Sequence, residues 1–159
     1  MSMDIQSVLI PTIIIHPGMY VRDLFTECGK QHVQSLPYCN EEGILSGRLT
    51  LKNVMKFSCL PDHMIELASL LGNQMSCVEN AEEKAREIIC NPVEPYVLKL
   101  GETISSKEPL IKALAVMERN ETSYIFVVDD GDYKGQITIQ GIAQVMSNLN
   151  SSCEISDSS

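Results

Sequence analysis

Apolar and polar positions follow one pattern that occurs twice along this chain. Val21, Leu24, Phe25 and Cys28 recur at i, i+3, i+4 and i+7, the spacing of one buried helix face, and Leu110, Ala113, Leu114 and Met117 repeat it. The pattern predicts helices near 19–29 and 108–119. After each helix comes a strand, an acidic glycine turn and a second strand: LPYCNEEGILSGRLT over residues 36–50, and YIFVVDDGDYKGQIT over residues 124–138. Each second strand ends on a threonine, Thr50 or Thr138, and an amphipathic run follows it. A threonine at a strand-to-helix junction can cap free backbone N–H groups.

The two copies stay in register. Gly43 and Gly131, Gly47 and Gly135, and Thr50 and Thr138 are 88 residues apart, whereas upstream Ile15 and Ile104, Val21 and Leu110, and Cys28 and Met117 are 89 apart. With the two strand–turn–strand stretches aligned without a gap, one extra residue in the second loop is expected to account for the change. Between the copies, Met64, Ile65, Ala68 and Leu71 predict a helix that starts at Pro61 and stops at Gly72. A second helix is predicted from Asn80 through Ile88 and Ile89 to a stop before Pro92. The resulting division is 8–57 for the first repeat, 58–92 for a helical connector, 93–150 for the second repeat and 151–159 for a Ser-rich disordered tail. Repeats of about 50–60 residues bury too little surface to stand alone, so they are expected to pack together with pseudo-twofold symmetry and two equivalent clefts. The fold class read from this order is α/β (α+β), built from two β-α-β-β-α repeats.

Composition narrows the function. The chain has 159 residues and a formal charge of −9, which disfavours nucleic acid and anionic membrane surfaces as partners. That excess is uneven: residues 1–72 carry five basic and seven acidic side chains, and the remainder carries seven and fourteen. The first half is the better place to hold an anion. Six cysteines are present without a C-x-x-C pair, and the three histidines lie far apart in sequence, so free structural thiols are expected and no metal site is read. No apolar run reaches the ~20 residues of a membrane span, and the early apolar stretch lacks a basic flank, so a cytoplasmic protein is expected. Neither a catalytic constellation nor a phosphate-cradling glycine loop is legible, so no enzyme is expected.

The repeat resembles the CBS domain, named after cystathionine β-synthase, in its tandem form. Gly47-Arg48-Leu49-Thr50-Leu51-Lys52-Asn53 and Gly135-Gln136-Ile137-Thr138-Ile139-Gln140-Gly141 are similar to the family's pattern of glycine, any residue, an apolar residue, Thr or Ser, two further residues and Asp or Asn. The resemblance implies a non-enzymatic regulatory module. Such a module binds an adenine nucleotide of the AMP, ADP or ATP class in the cleft between the repeats, needs no further cofactor, and passes a conformational signal to a protein effector. A homodimer is also implied, and the alternative is a dimerising scaffold whose nucleotide site has decayed. Carried over by position, Asn53 meets the ribose hydroxyls and Thr50 stands beside it, with Thr138 offering a hydroxyl from the second copy. Gly141 takes the acidic position there and cannot make the ribose contact. Gln34-Ser35 and Thr122-Ser123 replace a basic pair found in many members, which leaves phosphate charge to Arg48, Lys52, Lys56 or Lys134. Ser123, Ile15 and Leu36 complete the candidate set, the last two with Ile13 as apolar positions able to flank an adenine.

Overall fold

A computed structural model describes residues 3–59 and 81–149. In chain order the elements are α1 (Ile5–Val8), α2 (Val21–Gln31), β1 (Ser35–Cys39), β2 (Leu45–Thr50), α3 (Leu51–Cys59) and α4 (Ala81–Ile89). A 3-10 turn (Glu94–Tyr96), β3 (Leu98–Lys99), β4 (Thr103–Ile104), α5 (Leu110–Arg119), β5 (Tyr124–Asp129), β6 (Asp132–Thr138) and α6 (Ile139–Ser147) follow. The helix expected from Pro61 to Gly72 and the tail 151–159 lie outside the described residues.

Packing divides the described residues into two compact units, one within residues 12–101 with 131–133, the other within residues 3–11, 102–130 and 134–149. In the first unit, β1, β2 and β3 form an antiparallel sheet in that order. Ile15, Val21, Leu24, Leu36, Leu49, Val54 and Val93 have no exposed surface and make up its core. The start of α2 is fixed locally, because the Tyr20 N–H donates to Asp23 Oδ2 at 2.9 Å. Its end is fixed by His32, which turns left-handed at φ 57°. The connector helix α4 leads into a segment that packs on this start: the Val21 N–H donates to Asn91 O at 2.9 Å, and the Val93 N–H to Met19 O at 3.2 Å.

The second unit holds β4, β5 and β6 in one sheet, with β4 parallel to β5. Its core gathers Ile5 and Val8 of α1, Ala113, Val116 and Met117 of α5, Ile125 and Val127 of β5, and Ile142 of α6. Each sheet is completed by the strand that leads into the other repeat. Leu98 of β3 pairs with Arg48, and Ile10 pairs with Gln136 through two backbone hydrogen bonds of 2.8 and 2.9 Å. These two pairings correspond at an offset of 88, from Ile10 to Leu98 and from Arg48 to Gln136.

The strands correct one detail of the repeat alignment. The Val33 N–H donates to Cys28 O and the Thr122 N–H to Met117 O; Ile15 bridges Tyr38 and Ile104 pairs with Val127. In both comparisons the offset is 89, so it persists beyond the helix and through β1. Leu36 therefore matches Ile125, and the extra residue of the first copy sits in its hairpin, where the β1–β2 register slips between Tyr38 and Cys39. An ungapped alignment fails here because two apolar strands offset by one residue still pair apolar with apolar.

Asp129, at the end of β5, accepts hydrogen bonds from the hydroxyls of Ser105 and Ser106 at 2.9 and 2.5 Å and from the Ser106 N–H at 2.9 Å. The Ser106 hydroxyl, its backbone N–H and then the Ser105 hydroxyl hold the carboxyl below its ordinary value of 3.8. A depressed carboxyl contributes stability above its unfolded pKa, and loses it as pH falls through the folded one. Replacing Asp129 by asparagine is expected to lower the urea midpoint at pH 7 and to cost progressively less below about pH 4. A midpoint gap equally wide at pH 3 and pH 7 would show that the ionised carboxylate is not what holds this turn.

Candidate functional site

Thr50, Asn53 and Thr138 fall at the two strand-to-helix junctions, one in each unit. Where β2 passes into α3, Thr50 Oγ1 accepts the Asn53 N–H at 3.0 Å. Where β6 passes into α6, Thr138 Oγ1 accepts the Gly141 N–H at 2.8 Å. Both threonines are therefore N-caps, as their position predicts, and the hydroxyl proton of each remains a donor. The following helix starts with backbone N–H groups that favour an anion.

Asn53 is brought against Thr50, and its own amide is oriented: Nδ2 donates to Tyr96 O at 3.1 Å. This leaves Oδ1 as the acceptor pole. Tyr96 is itself positioned by Asn91, whose Nδ2 donates to the tyrosine hydroxyl at 3.2 Å. Arg48 stands two residues before Thr50 on β2 and so shares its face. Its Nε donates to Lys99 O at 2.8 Å, which fastens the side chain to the incoming strand β3.

Ile15 and Leu36 lie elsewhere. Both are fully buried, in the core of the first unit, and offer no surface to a ligand. Ile13 is 43% exposed, and its N–H donates to Glu27 Oε2 at 2.9 Å. Glu27 thus satisfies a backbone donor from a nearly buried position on α2, at the place where the second copy has Val116. In the second unit, Thr138 is buried and Ser123 is exposed. The Ser123 carbonyl accepts the Ile139 N–H at 3.0 Å, as Gln34 O accepts the Leu51 N–H, so Ser123 corresponds to Gln34 and not to Ser35. It lines an apolar groove of about 530 Å³ with Ile111, Leu114, Met117, Thr122 and Ile139.

Gly141 has a packing role of its own. A Cβ there would stand 2.9 Å from Thr138 Oγ1 and 3.3 Å from Ile10 Cδ1. The missing acidic side chain of the second copy is thus a site closed by its neighbours. Sequence reasoning missed Tyr96 and Glu27: a backbone carbonyl carries no sequence signal, and a lone glutamate on an amphipathic helix reads as solvated. Among the described residues, no group of three or more His, Cys, Asp or Glu could hold a metal ion, and no helix is long and apolar enough to cross a membrane.

Residues 85–148 match the family model of the CBS domain. No curated protein matches the chain by sequence. Among solved structures, a CBS domain-containing protein of Kribbella flavida is similar at a TM-score of 0.64 and 14% identity, over 92% of this chain and 100% of that one. A conserved protein from Pyrococcus horikoshii is similar at 0.62 and 16% identity, over 96% and 99%. The CBS domain pair of protein MJ0100, solved with 5′-methylthioadenosine and S-adenosyl-L-methionine, is similar at 0.59 and 20% identity, over 91% and 96%. The fold is thus that of a two-repeat α+β module. More particularly, the fold is that of a tandem CBS-domain pair, and residues 85–148 are the part that matches the family model.

Proposed function

We propose that this chain is a non-enzymatic regulatory module that binds an adenine nucleotide of the AMP, ADP or ATP class at the Thr50–Asn53 junction and signals to a protein effector. The observation that carries the reading is the orientation of Asn53. With Nδ2 committed to Tyr96 O, Oδ1 is the pole that accepts a ribose hydroxyl, and Thr50 supplies a hydroxyl donor within the same helical turn. Support comes from MJ0100, a protein of the same fold that was solved with two adenosine-type ligands. Arg48 stands on the same face as the cation for the phosphate, and the charge balance of residues 1–72, five basic against seven acidic, admits a small anion.

The test is calorimetry and thermal unfolding with AMP, ADP, ATP and S-adenosylmethionine. A one-site ligand at a hundred times its dissociation constant stabilises by about 2.7 kcal/mol, and Asn53→Ala is expected to weaken binding about tenfold. Absence of heat and of any melting shift with all four ligands would sink the nucleotide reading. Gly141→Ala is a poor control, because its Cβ would crowd the Thr138 cap.

A second reading, a dimerising scaffold, is favoured by one observation. On α5, Ile111 is 74% exposed and Leu114 37%, and Ile139 beside them is 45% exposed, so an apolar face is left without cover. Light scattering in the same titrations separates the two readings: a dimer indifferent to every nucleotide supports the scaffold.

A further inference from the structure

One cluster is used by neither reading. His16, Pro17, Gly18 and Met19 form a turn closed by the Met19 N–H donating to His16 O at 3.2 Å, with Gly18 at φ +89°. Proline second and a left-handed glycine third are the requirements of a type II turn, which brings its first and fourth residues together. The Met19 thioether folds back over the turn, and Sδ lies 3.1 Å from the His16 backbone nitrogen as the acceptor of its N–H. From the neighbouring strand, the Cys39 N–H donates to Ile15 O at 3.0 Å, which sets the end of β1 beside His16. There Cys39 Sγ lies 2.8 Å from His16 Nδ1. Cys39 is 3% exposed and His16 is exposed, so the thiol is sheltered while the imidazole opens the cluster to solvent.

We propose that Cys39, His16 and Met19 form a site for one soft monovalent cation of the copper(I) class. Thiolate, imidazole and thioether are the donors that such an ion selects over hard divalent cations, and three of them satisfy its low coordination number. The carboxylate on this turn, Glu94, is engaged by the turn's backbone: its Oε1 accepts the Gly18 N–H at 2.8 Å. Binding releases the Cys39 thiol proton to solvent, forms one metal–sulfur bond in its place, and leaves the oxidation state of the copper unchanged. Bonds of about 2.3 Å to sulfur and 2.0 Å to nitrogen require the imidazole to swing outward by about an ångström, which an exposed ring permits. Cys28 is no competitor, since burial and then the neighbouring Glu27 carboxylate push its thiol up to about 12.

The probe is copper(I) itself, titrated anaerobically with reductant into the full chain against a chromophoric copper(I) chelator. Wild type is expected to take one more tightly held ion than Cys39→Ser, and Met19→Leu and His16→Gln are each expected to weaken that ion by about tenfold or more. X-ray absorption of the one-copper form is expected to show two sulfur neighbours and one nitrogen. Urea midpoints of the three variants establish that they are folded under the titration conditions. Equal copper stoichiometry and affinity in wild type and Cys39→Ser would place the metal on other thiols and overturn the site. Unchanged affinity in Met19→Leu would overturn the three-donor arrangement. Neither result bears on the nucleotide reading, which uses none of these side chains.

Discussion

Replacing Gly135 by alanine is expected to lower the unfolding free energy by about 3 kcal/mol or more, and the melting temperature by roughly 10 °C. Two costs coincide there. The backbone φ of +150° is one that L side chains rarely adopt, and a Cβ would stand 2.7 Å from Ile10 O and 2.9 Å from Leu9 Cδ1. A carbonyl oxygen of a paired strand cannot swing aside as a side chain can. Gly47 repeats the crowding without the strain: its Cβ would meet Leu98 O at 2.7 Å and Val97 Cγ1 at 2.6 Å. Gly47→Ala is therefore expected to fall between Gly135→Ala and Gly131→Ala, because Gly131, at φ +84°, has nothing within 4 Å and carries strain alone. Urea unfolding of the three variants measures the order. If Gly135→Ala unfolds no earlier than Gly131→Ala, the close approach of the Ile10 segment to β6 is not a feature of the folded protein.

Those two glycines explain part of the sequence motif in physical terms. They open the stretch that resembles the family's pattern, yet their role is to admit a crossing backbone, whereas the proposed ligand contacts of the first copy, Thr50 and Asn53, stand three and six residues after Gly47. The crossing itself was not legible. Leu98–Lys99 and the lone bridge at Ile10 are too short to show alternation, and nothing in their composition says that they complete the sheets of the other repeats. By contrast, the helices α2 and α5 were legible because four apolar residues at helical spacing must be buried together. They appear at Val21–Gln31 and Leu110–Arg119, against expectations of 19–29 and 108–119. The difference at their starts has local causes, Asp23 accepting the Tyr20 N–H in one and Pro109 standing before Leu110 in the other.

The site divides in the same way. Thr50 and Asn53 could be placed together because three residues make about one helical turn, and the cap geometry confirms that they adjoin. The partner that orients Asn53 is a main-chain oxygen 43 residues away at Tyr96, set by the packing of the connector rather than by side-chain identity. Likewise His16 and Cys39 are 23 residues apart, and only the pairing of the Ile15 segment with β1 makes them neighbours. Apolar β-branched and leucine positions carry the least information of all. Ile15 and Leu36 could flank a base or fill a core, and no pattern of spacing separates the two.

That ambiguity has a direct test, because the two roles predict opposite patterns of loss. Leu36 is 0% exposed and sits opposite Leu49 across the β1–β2 pair, which is also fully buried. Truncating it to alanine removes buried methyl groups and leaves a cavity that the strands, held by their ladder on both sides, cannot close. The expected cost is about 2–5 kcal/mol of unfolding free energy, with Ile15→Ala in the same range. At a temperature where the variant is still folded, its nucleotide affinity is expected to equal that of the wild type. Asn53→Ala should behave in reverse, losing affinity while its urea midpoint moves only by the worth of one hydrogen bond to Tyr96 O, about 1 kcal/mol. A Leu36→Ala chain with native stability and weakened nucleotide binding would move that side chain from the core to the ligand. Loss of stability with affinity intact fixes it in the core, and leaves Thr50 and Asn53 as the candidate contacts on that unit.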